Sequence, residues 1–175
     1  LARSGCGAAR HEDARGGKER NGARICHDRQ PIMTEAKGTI TVRPNGPYRV
    51  EGGVPLEGAD GKTFELKPAY SLCRCGKSAN KPYCDGTHKE CGFDGTEIAD
   101  PNATAGLAGT PAVEEALLIR VVRDGPYEVV GAPTLTYSDG RICETTVFYR
   151  LCRCGASKNK PFCDDSHLEA GFRSP

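Results

Sequence analysis

Apolar and polar residues alternate over Thr39-Ile40-Thr41-Val42-Arg43, break at Asn45-Gly46, and resume over Tyr48-Arg49-Val50. A period of two on either side of a tight turn predicts short antiparallel strands. A further strand pair is predicted around Asp60-Gly61, with Phe64 and Leu66 on one face. The same succession returns at 118–122, a turn at Asp124-Gly125, 127–130, a turn at Asp139-Gly140, and 145–148. Between the two successions, residues 100–112 are rich in Ala, Gly, Thr and Pro and read as a linker. The first 32 residues are rich in Arg, Gly and Ala without apolar periodicity, which predicts disorder. The expected organisation is therefore an N-terminal segment over 1–33, a first module over 34–96, a linker over 97–116 and a second module over 117–175.

The two successions are copies. Gly46-Pro47-Tyr48 reappears as Gly125-Pro126-Tyr127, Asp60-Gly61 as Asp139-Gly140, Tyr70 and Leu72 as Tyr149 and Leu151, and Gly92-Phe93 as Gly171-Phe172. Every pair is 79 positions apart. An ungapped self-match of this kind marks a duplicated structural unit.

Composition sharpens this picture. Each unit has roughly 60 residues, a size at which a hydrophobic core alone is marginal and a metal would supply the missing stability. With 22 glycines, 12 prolines and no tryptophan, the chain favours short strands and turns over long helices. Ten cysteines suit a disulfide scaffold, yet there is no apolar signal-peptide core near the N-terminus and no run of membrane-spanning length. Free thiols fit a reducing, cytoplasmic compartment. The mitochondrial alternative rests on the Arg-rich start, but Glu12, Asp13, Glu19 and Asp28 interrupt any presequence pattern. Because the chain's one methionine, Met33, stands immediately before the first repeat, an over-long gene start is also expected to account for the leading segment. Residues 1–32 carry an excess of three basic groups and the remainder an excess of two acidic ones, which argues against phosphate-backbone binding by the modules.

Within each copy the potential chemistry is concentrated in sixteen residues. The first reads Cys73-Arg-Cys75-Gly-Lys-Ser78-Ala-Asn-Lys-Pro82-Tyr-Cys84-Asp85-Gly86-Thr87-His88, and the second Cys152-Arg-Cys154-Gly-Ala-Ser157-Lys-Asn-Lys-Pro161-Phe-Cys163-Asp164-Asp165-Ser166-His167. Three thiolates and one imidazole suit zinc or an iron-sulfur cluster and exclude Mg and Ca. Structural zinc sites commonly leave two to four residues between their first cysteines, whereas here the gap is one. Two cysteines so close can share one iron, leaving Cys84 and His88 for a second. Spacing favours iron and leaves zinc open. The ligand segments are expected in loops, each ending in a short helix. Asp85 is expected to cap the first of these by accepting the amide of Thr87 or His88, with His88 in the first turn pointing back to the cysteines.

The first string resembles the CDGSH (NEET) iron-sulfur family at every defined position, and the second at all but one, where Asp165 stands for the motif glycine. The resemblance implies a mainly β fold with short helices, in which two tandem modules, each a β-cap plus a cluster-binding loop and helix, form an internal pseudo-dimer. It implies two [2Fe-2S] clusters, one on Cys73, Cys75, Cys84 and His88, the other on Cys152, Cys154, Cys163 and His167. A monomer with pseudo-two-fold symmetry follows, in which the dimer-like contact covers each module's strand edge. Such a cluster carries roughly −1 when oxidised and −2 when reduced. The histidine makes it acid-labile, since protons compete with iron for the imidazole.

Lys77, Lys81, Lys158 and Lys160 lie on the loops between the ligands, as tuning charges or as ordinary solvated ones. If Gly86 has a positive φ, Asp165 is a tolerable replacement whose charge makes the second site harder to reduce. Cys91 and Cys143 match Ala170 and Phe64 of the other copy and are expected to pack rather than ligate. A third site on Cys6, Cys26, His11 and His27 is disfavoured by irregular spacing. With no nucleotide loop and no nucleophile-base signature, the chain reads as a carrier and not an enzyme. Its expected partners are redox or cluster-acceptor proteins, without nucleic acid and without membrane insertion. The alternatives are a structural zinc-binding interaction module and a redox or pH sensor.

Overall fold

The computed structural model describes residues 38–99, 116–143 and 147–174. Nine strands are found among them: β1 (Thr39–Val42), β2 (Tyr48–Glu51), β3 (Leu56–Glu57), β4 (Ala69–Leu72), β5 (Leu118–Val121), β6 (Tyr127–Val130), β7 (Thr134–Thr136), β8 (Ile142–Cys143) and β9 (Phe148–Leu151). A 3₁₀ turn, Thr87–Lys89, and a short helix α1, Ser166–Glu169, close the two cysteine segments. The fold is mainly β with short helices, as the alternation and the Gly/Pro content predict.

The strands form two sheets, ordered β4-β2-β1-β7-β8 and β3-β5-β6-β9. In each, an antiparallel three-strand unit comes from one repeat, and the outer neighbour of its first strand comes from the other. Thus β7 lies parallel to β1 with Leu135 opposite Ile40, and β3 lies parallel to β5 with Leu56 opposite Ile119. These two pairings are related by the 79-residue offset, so the exchange is reciprocal. Each exchanged strand covers an edge that a lone repeat would leave unpaired. The β7–β8 pair reduces in the first repeat to a single bridge between Glu57 and Thr63.

Side chains that alternate along β1, β2, β4, β5, β6 and β9 bury one face and leave the other half-exposed. Ile40, Val42, Tyr48, Val50 and Leu72 of one repeat join Ile119, Tyr127, Val129, Leu135 and Leu151 of the other in a shared core. Tyr48 and Tyr127 meet edge to face near its middle, ring centroids 6.3 Å apart.

Several expectations need correction. No strand runs through Phe64 and Leu66; Phe64 packs against the core, but Leu66 is exposed. The strand placed at 145–148 begins at Phe148 and continues to Leu151, while 144–146 lie outside the described residues. The N-terminal segment, with its Cys6, Cys26, His11 and His27, also lies outside them, as does most of the linker. The linker's first residues are tied down, with Ile98 and Ala99 both donating to the Lys160 carbonyl at 2.9 and 3.0 Å.

Candidate metal centres

Strands β4 and β9 each run directly into a Cys-Arg-Cys triplet, and each chain then returns to pair with its own strand. The Cys73 amide donates to the Pro82 carbonyl at 2.8 Å and the Cys84 amide to the Ser71 carbonyl at 2.9 Å. The second copy repeats both bonds, Cys152 to Pro161 at 2.8 Å and Cys163 to Arg150 at 3.0 Å. Ser78 and Ser157 are buried and brace the intervening turns, donating to the Tyr83 and Phe162 carbonyls at 2.7 Å. Lys81 and Lys160, expected as tuning or solvated charges, instead clamp these turns through the Ser78 and Ser157 carbonyls at 2.7 and 2.8 Å. The Lys81–Pro82 and Lys160–Pro161 peptides are both cis.

Asp85 accepts the Thr87 amide at 3.1 Å with one oxygen and the Ala79 amide at 2.7 Å with the other. It therefore ties the turn bearing His88 back to the cysteine loop, and these bonds, the Thr87 hydroxyl's first, hold its carboxyl below the usual range. The cap position itself belongs to Gly86, at φ 95°, one residue later than expected. Asp164 makes the equivalent bonds to Ser166 and Lys158.

This scaffold places the donors in pairs. Cys73 Sγ and Cys75 Sγ stand 3.8 Å apart, and Cys84 Sγ and His88 Nδ1 3.3 Å apart. In the second copy the separations are 3.8 Å for Cys152 and Cys154 and 3.5 Å for Cys163 and His167. Bonds of ~2.3 Å to sulfur and ~2.0 Å to nitrogen at tetrahedral angles give separations of about 3.8 and about 3.5 Å, so either pair fits a single shared metal ion. The four donors of one motif do not all converge. Among the described residues, the one group of three or more His, Cys, Asp or Glu donor atoms lying within 4.8 Å of one another is Cys163, Asp165 and His167.

Burial makes several of the thiols harder to ionise. Burial raises Cys75, Cys84 and Cys163, and neighbouring cysteines add to each shift. The second pair splits: hydrogen bonding between them pushes Cys152 up and lowers Cys154 to about 6, the Ala156 amide assisting. Nearby positive charge, such as a bound metal ion supplies, favours the thiolate forms.

Asp165 adopts φ 65° where Gly86 has 95°, so the replacement keeps the backbone's left-handed turn. Its carboxylate is not a bare charge beside Cys163. It pairs with Arg150 at 3.2 Å, and Arg150 stands where the first copy has Ser71. The compensating change is 15 residues away in sequence and was not visible until β9 brought it beside the helix. Cys143 joins the core as expected, whereas Cys91 is half-buried beside the His88 carbonyl, Sγ to oxygen 3.9 Å.

The model of the iron-binding zinc finger of CDGSH type matches the chain at residues 45–89 and again at 124–168. The chain belongs to the CDGSH family. No curated protein matches it at a significant level of similarity. Both CDGSH matches span the paired donors and the tyrosine of their repeat, which makes this a tandem, two-motif member of an iron-binding family.

Two groups escaped the reading of the sequence as site residues. Tyr48 donates to the Cys152 and Pro161 carbonyls, both at 2.9 Å, and Tyr127 to those of Cys73 and Pro82 at 2.9 and 3.0 Å. Each repeat's tyrosine thus braces the other's ligand loop. The second group is Arg74 and Arg153, buried between the first two cysteines of each motif. The available signal was identity in both copies at the 79-residue offset. The ligand loops also touch directly: a Cβ on Gly76 would sit 2.5 Å from the Cys154 carbonyl oxygen, and one on Gly155 2.9 Å from that of Cys75. A groove of about 350 Å³ beside this contact is lined by Cys75, Cys154, Lys77 and Lys160.

Proposed function

We propose that this protein carries two [2Fe-2S] clusters, one on Cys73, Cys75, Cys84 and His88 and one on Cys152, Cys154, Cys163 and His167, and that it passes single electrons or hands clusters to acceptor proteins. The observation that supports this over a zinc site is the spread of each donor set into two pairs. A mononuclear tetrahedral zinc brings its four donors within about 4 Å of one another, given its usual bond lengths. Two pairs, each spaced for its own metal, suit a two-iron rhomb.

When bound, each cluster supplies a one-electron couple at a site whose neutral imidazole makes reduction easier than four thiolates would. The chain's own residues set access to it. Cys73 and Cys152 are each 1% exposed, deep against the core, whereas Cys84, His88 and Cys163 are half-buried. At site one, protons and partner proteins therefore reach the cysteine-histidine side; at site two His167 is buried and access runs past the half-buried Cys154 and Cys163. A proton that takes the histidine's coordinating nitrogen removes that donor, so acid promotes release. The reading is of a carrier without catalytic machinery of its own, working as a pseudo-symmetric monomer in a reducing compartment such as the cytoplasm. Among the described residues no helix is long and apolar enough to cross a membrane.

Anaerobic purification with metal and acid-labile sulfide analysis tests the reading. Iron and sulfide at two clusters per chain, with visible absorption, are expected; a colourless protein with stoichiometric zinc would replace this reading by the structural zinc module. Acid titration followed by absorption then tests the histidine's part. His88→Cys is expected to carry cluster retention at site one to lower pH, and an unchanged profile would sink that role.

A further inference from the structure

The two bulkiest fully buried side chains among the described residues are charged. Arg74 and Arg153 are each 1% exposed. Arg74 donates from Nη2 to the Gly95 carbonyl at 2.7 Å and from Nη1 to that of Arg43 at 3.4 Å. For Arg153, none of Nε, Nη1 and Nη2 has a hydrogen-bond partner among the described residues. An unpaired guanidinium out of water is costly and needs a source of compensation.

Aromatic faces give part of it. Arg153 lies 5.6 Å from the Tyr127 centroid and 5.1 Å from that of Phe172, and Arg74 lies 5.4 Å from Tyr48 and 5.7 Å from Phe93. Groups able to carry negative charge near Arg153 include Tyr127, Cys73, Asp124 and Cys154. Asp124 is already engaged by the Ser174 amide at 2.6 Å and by Arg173 at 3.8 Å. Tyr127 spends its hydroxyl hydrogen on the Cys73 and Pro82 carbonyls. Among these, that leaves one cysteine of each motif: Cys154, next to Arg153 in the chain, and Cys73 of the opposite repeat, whose carbonyl receives the hydroxyl of the Tyr127 ring on which Arg153 stacks. The mirror arrangement stacks Arg74 on Tyr48, whose hydroxyl braces Cys152.

We propose that Arg153, and by symmetry Arg74, is a positioning counter-ion shared by both metal centres, its charge buried between its own motif and the tyrosine that bonds the other motif's loop, and raising both reduction potentials together. The proposal rests on the iron-sulfur reading above. One electron from an external reductant such as dithionite adds one negative charge to a centre. A fixed cation nearby stabilises that reduced state at whichever of the two sites receives the electron. The arginine stays protonated throughout and exchanges neither electron nor proton.

The test is an anaerobic redox titration of the full chain with dithionite, with iron and acid-labile sulfide determined on every sample. His88→Cys and His167→Cys each displace one midpoint and so assign the sites. In Arg153→Gln both midpoints are expected to fall, site one's included, and Arg153→Lys is expected to restore most of the shift. A fall confined to site two, or none, overturns the proposal. Should Arg153→Gln not fold or load, Arg74→Gln reads the mirror effect: a lowered site-two midpoint supports the proposal and an unmoved one overturns it. Wild-type protein lacking iron and sulfide removes the iron-sulfur reading and this inference together, whereas loaded wild type with unmoved variant midpoints removes this inference alone.

Discussion

At the scale of single residues, the two motifs differ most at Asp165. Its sequence position suggests a bare negative charge beside Cys163 that disfavours reduction of the second site. The structure adds Arg150 at 3.2 Å, half-exposed, where the first copy has Ser71. The added pair is neutral as a unit, and its exposure keeps its own contribution to stability small. The expectation for Asp165→Gly is therefore reversed in origin: the midpoint of site two rises chiefly because Arg150 loses its partner. Arg150→Ser should lower it, and the double variant should return it close to the starting value. Redox titration of the three variants checks this; single variants that shift the midpoint in the same direction, or a double variant that does not return towards the starting value, would show that the two charges do not offset one another. The candidate donors themselves were legible from residue type and spacing, because metal ligation constrains both. Arg150 was not, because a salt bridge between a strand and a helix leaves no local pattern. Arg74 and Arg153 were hidden for another reason: arginine between two cysteines reads as solvated charge until burial is known.

Among elements, the strands that alternate cleanly, β1, β2, β5 and β6, were legible from period two alone. Strands β3 and β7 were legible only through the turns at Asp60-Gly61 and Asp139-Gly140 that follow them, and their pairing with the other repeat was not. They have two and three residues, and their partners lie in the other repeat, so nothing near them in sequence announces the pairing. The close approach of the two ligand loops was equally invisible, although it depends on a glycine in each Cys-x-Cys-Gly turn. Gly76 has φ 75° and Gly61 φ 78°, yet a Cβ on Gly61 meets nothing within 4 Å while one on Gly76 strikes the Cys154 carbonyl. Gly61→Ala thus pays for left-handed backbone strain alone, about 1–2 kcal/mol. Gly76→Ala adds a backbone clash that must push the loops apart, and a cost of roughly 2–4 kcal/mol is expected. Denaturant unfolding of both variants measures the difference. Equal losses would mean that the loops separate freely and that their contact does not hold the two sites together.

For the whole molecule, reciprocal strand exchange means that neither repeat completes its own sheet. A first repeat alone would expose the β1 edge that Leu135 and its neighbours cover, along with the Tyr48 hydroxyl that the second repeat's carbonyls receive. Its own β3 is the counterpart of β7: Leu56 corresponds to Leu135 by the 79-residue offset, and Ile40 to Ile119. A second copy of the same fragment can therefore supply, by two-fold symmetry, what the second repeat supplies in the intact chain. Burying the shared face requires this, since a unit of roughly 60 residues with half its core exposed is below the size that folds reliably alone. Residues 34–99 expressed separately are expected to form a homodimer with two identical metal centres, its Tyr48 reaching the Cys73 and Pro82 carbonyls of the partner copy. Light scattering and metal content measured on the same sample decide it. A folded, metal-loaded monomer would show that the exchange is dispensable, and that the pseudo-dimer follows from the linkage between repeats rather than from the pairing of β1 with β7 and β3 with β5.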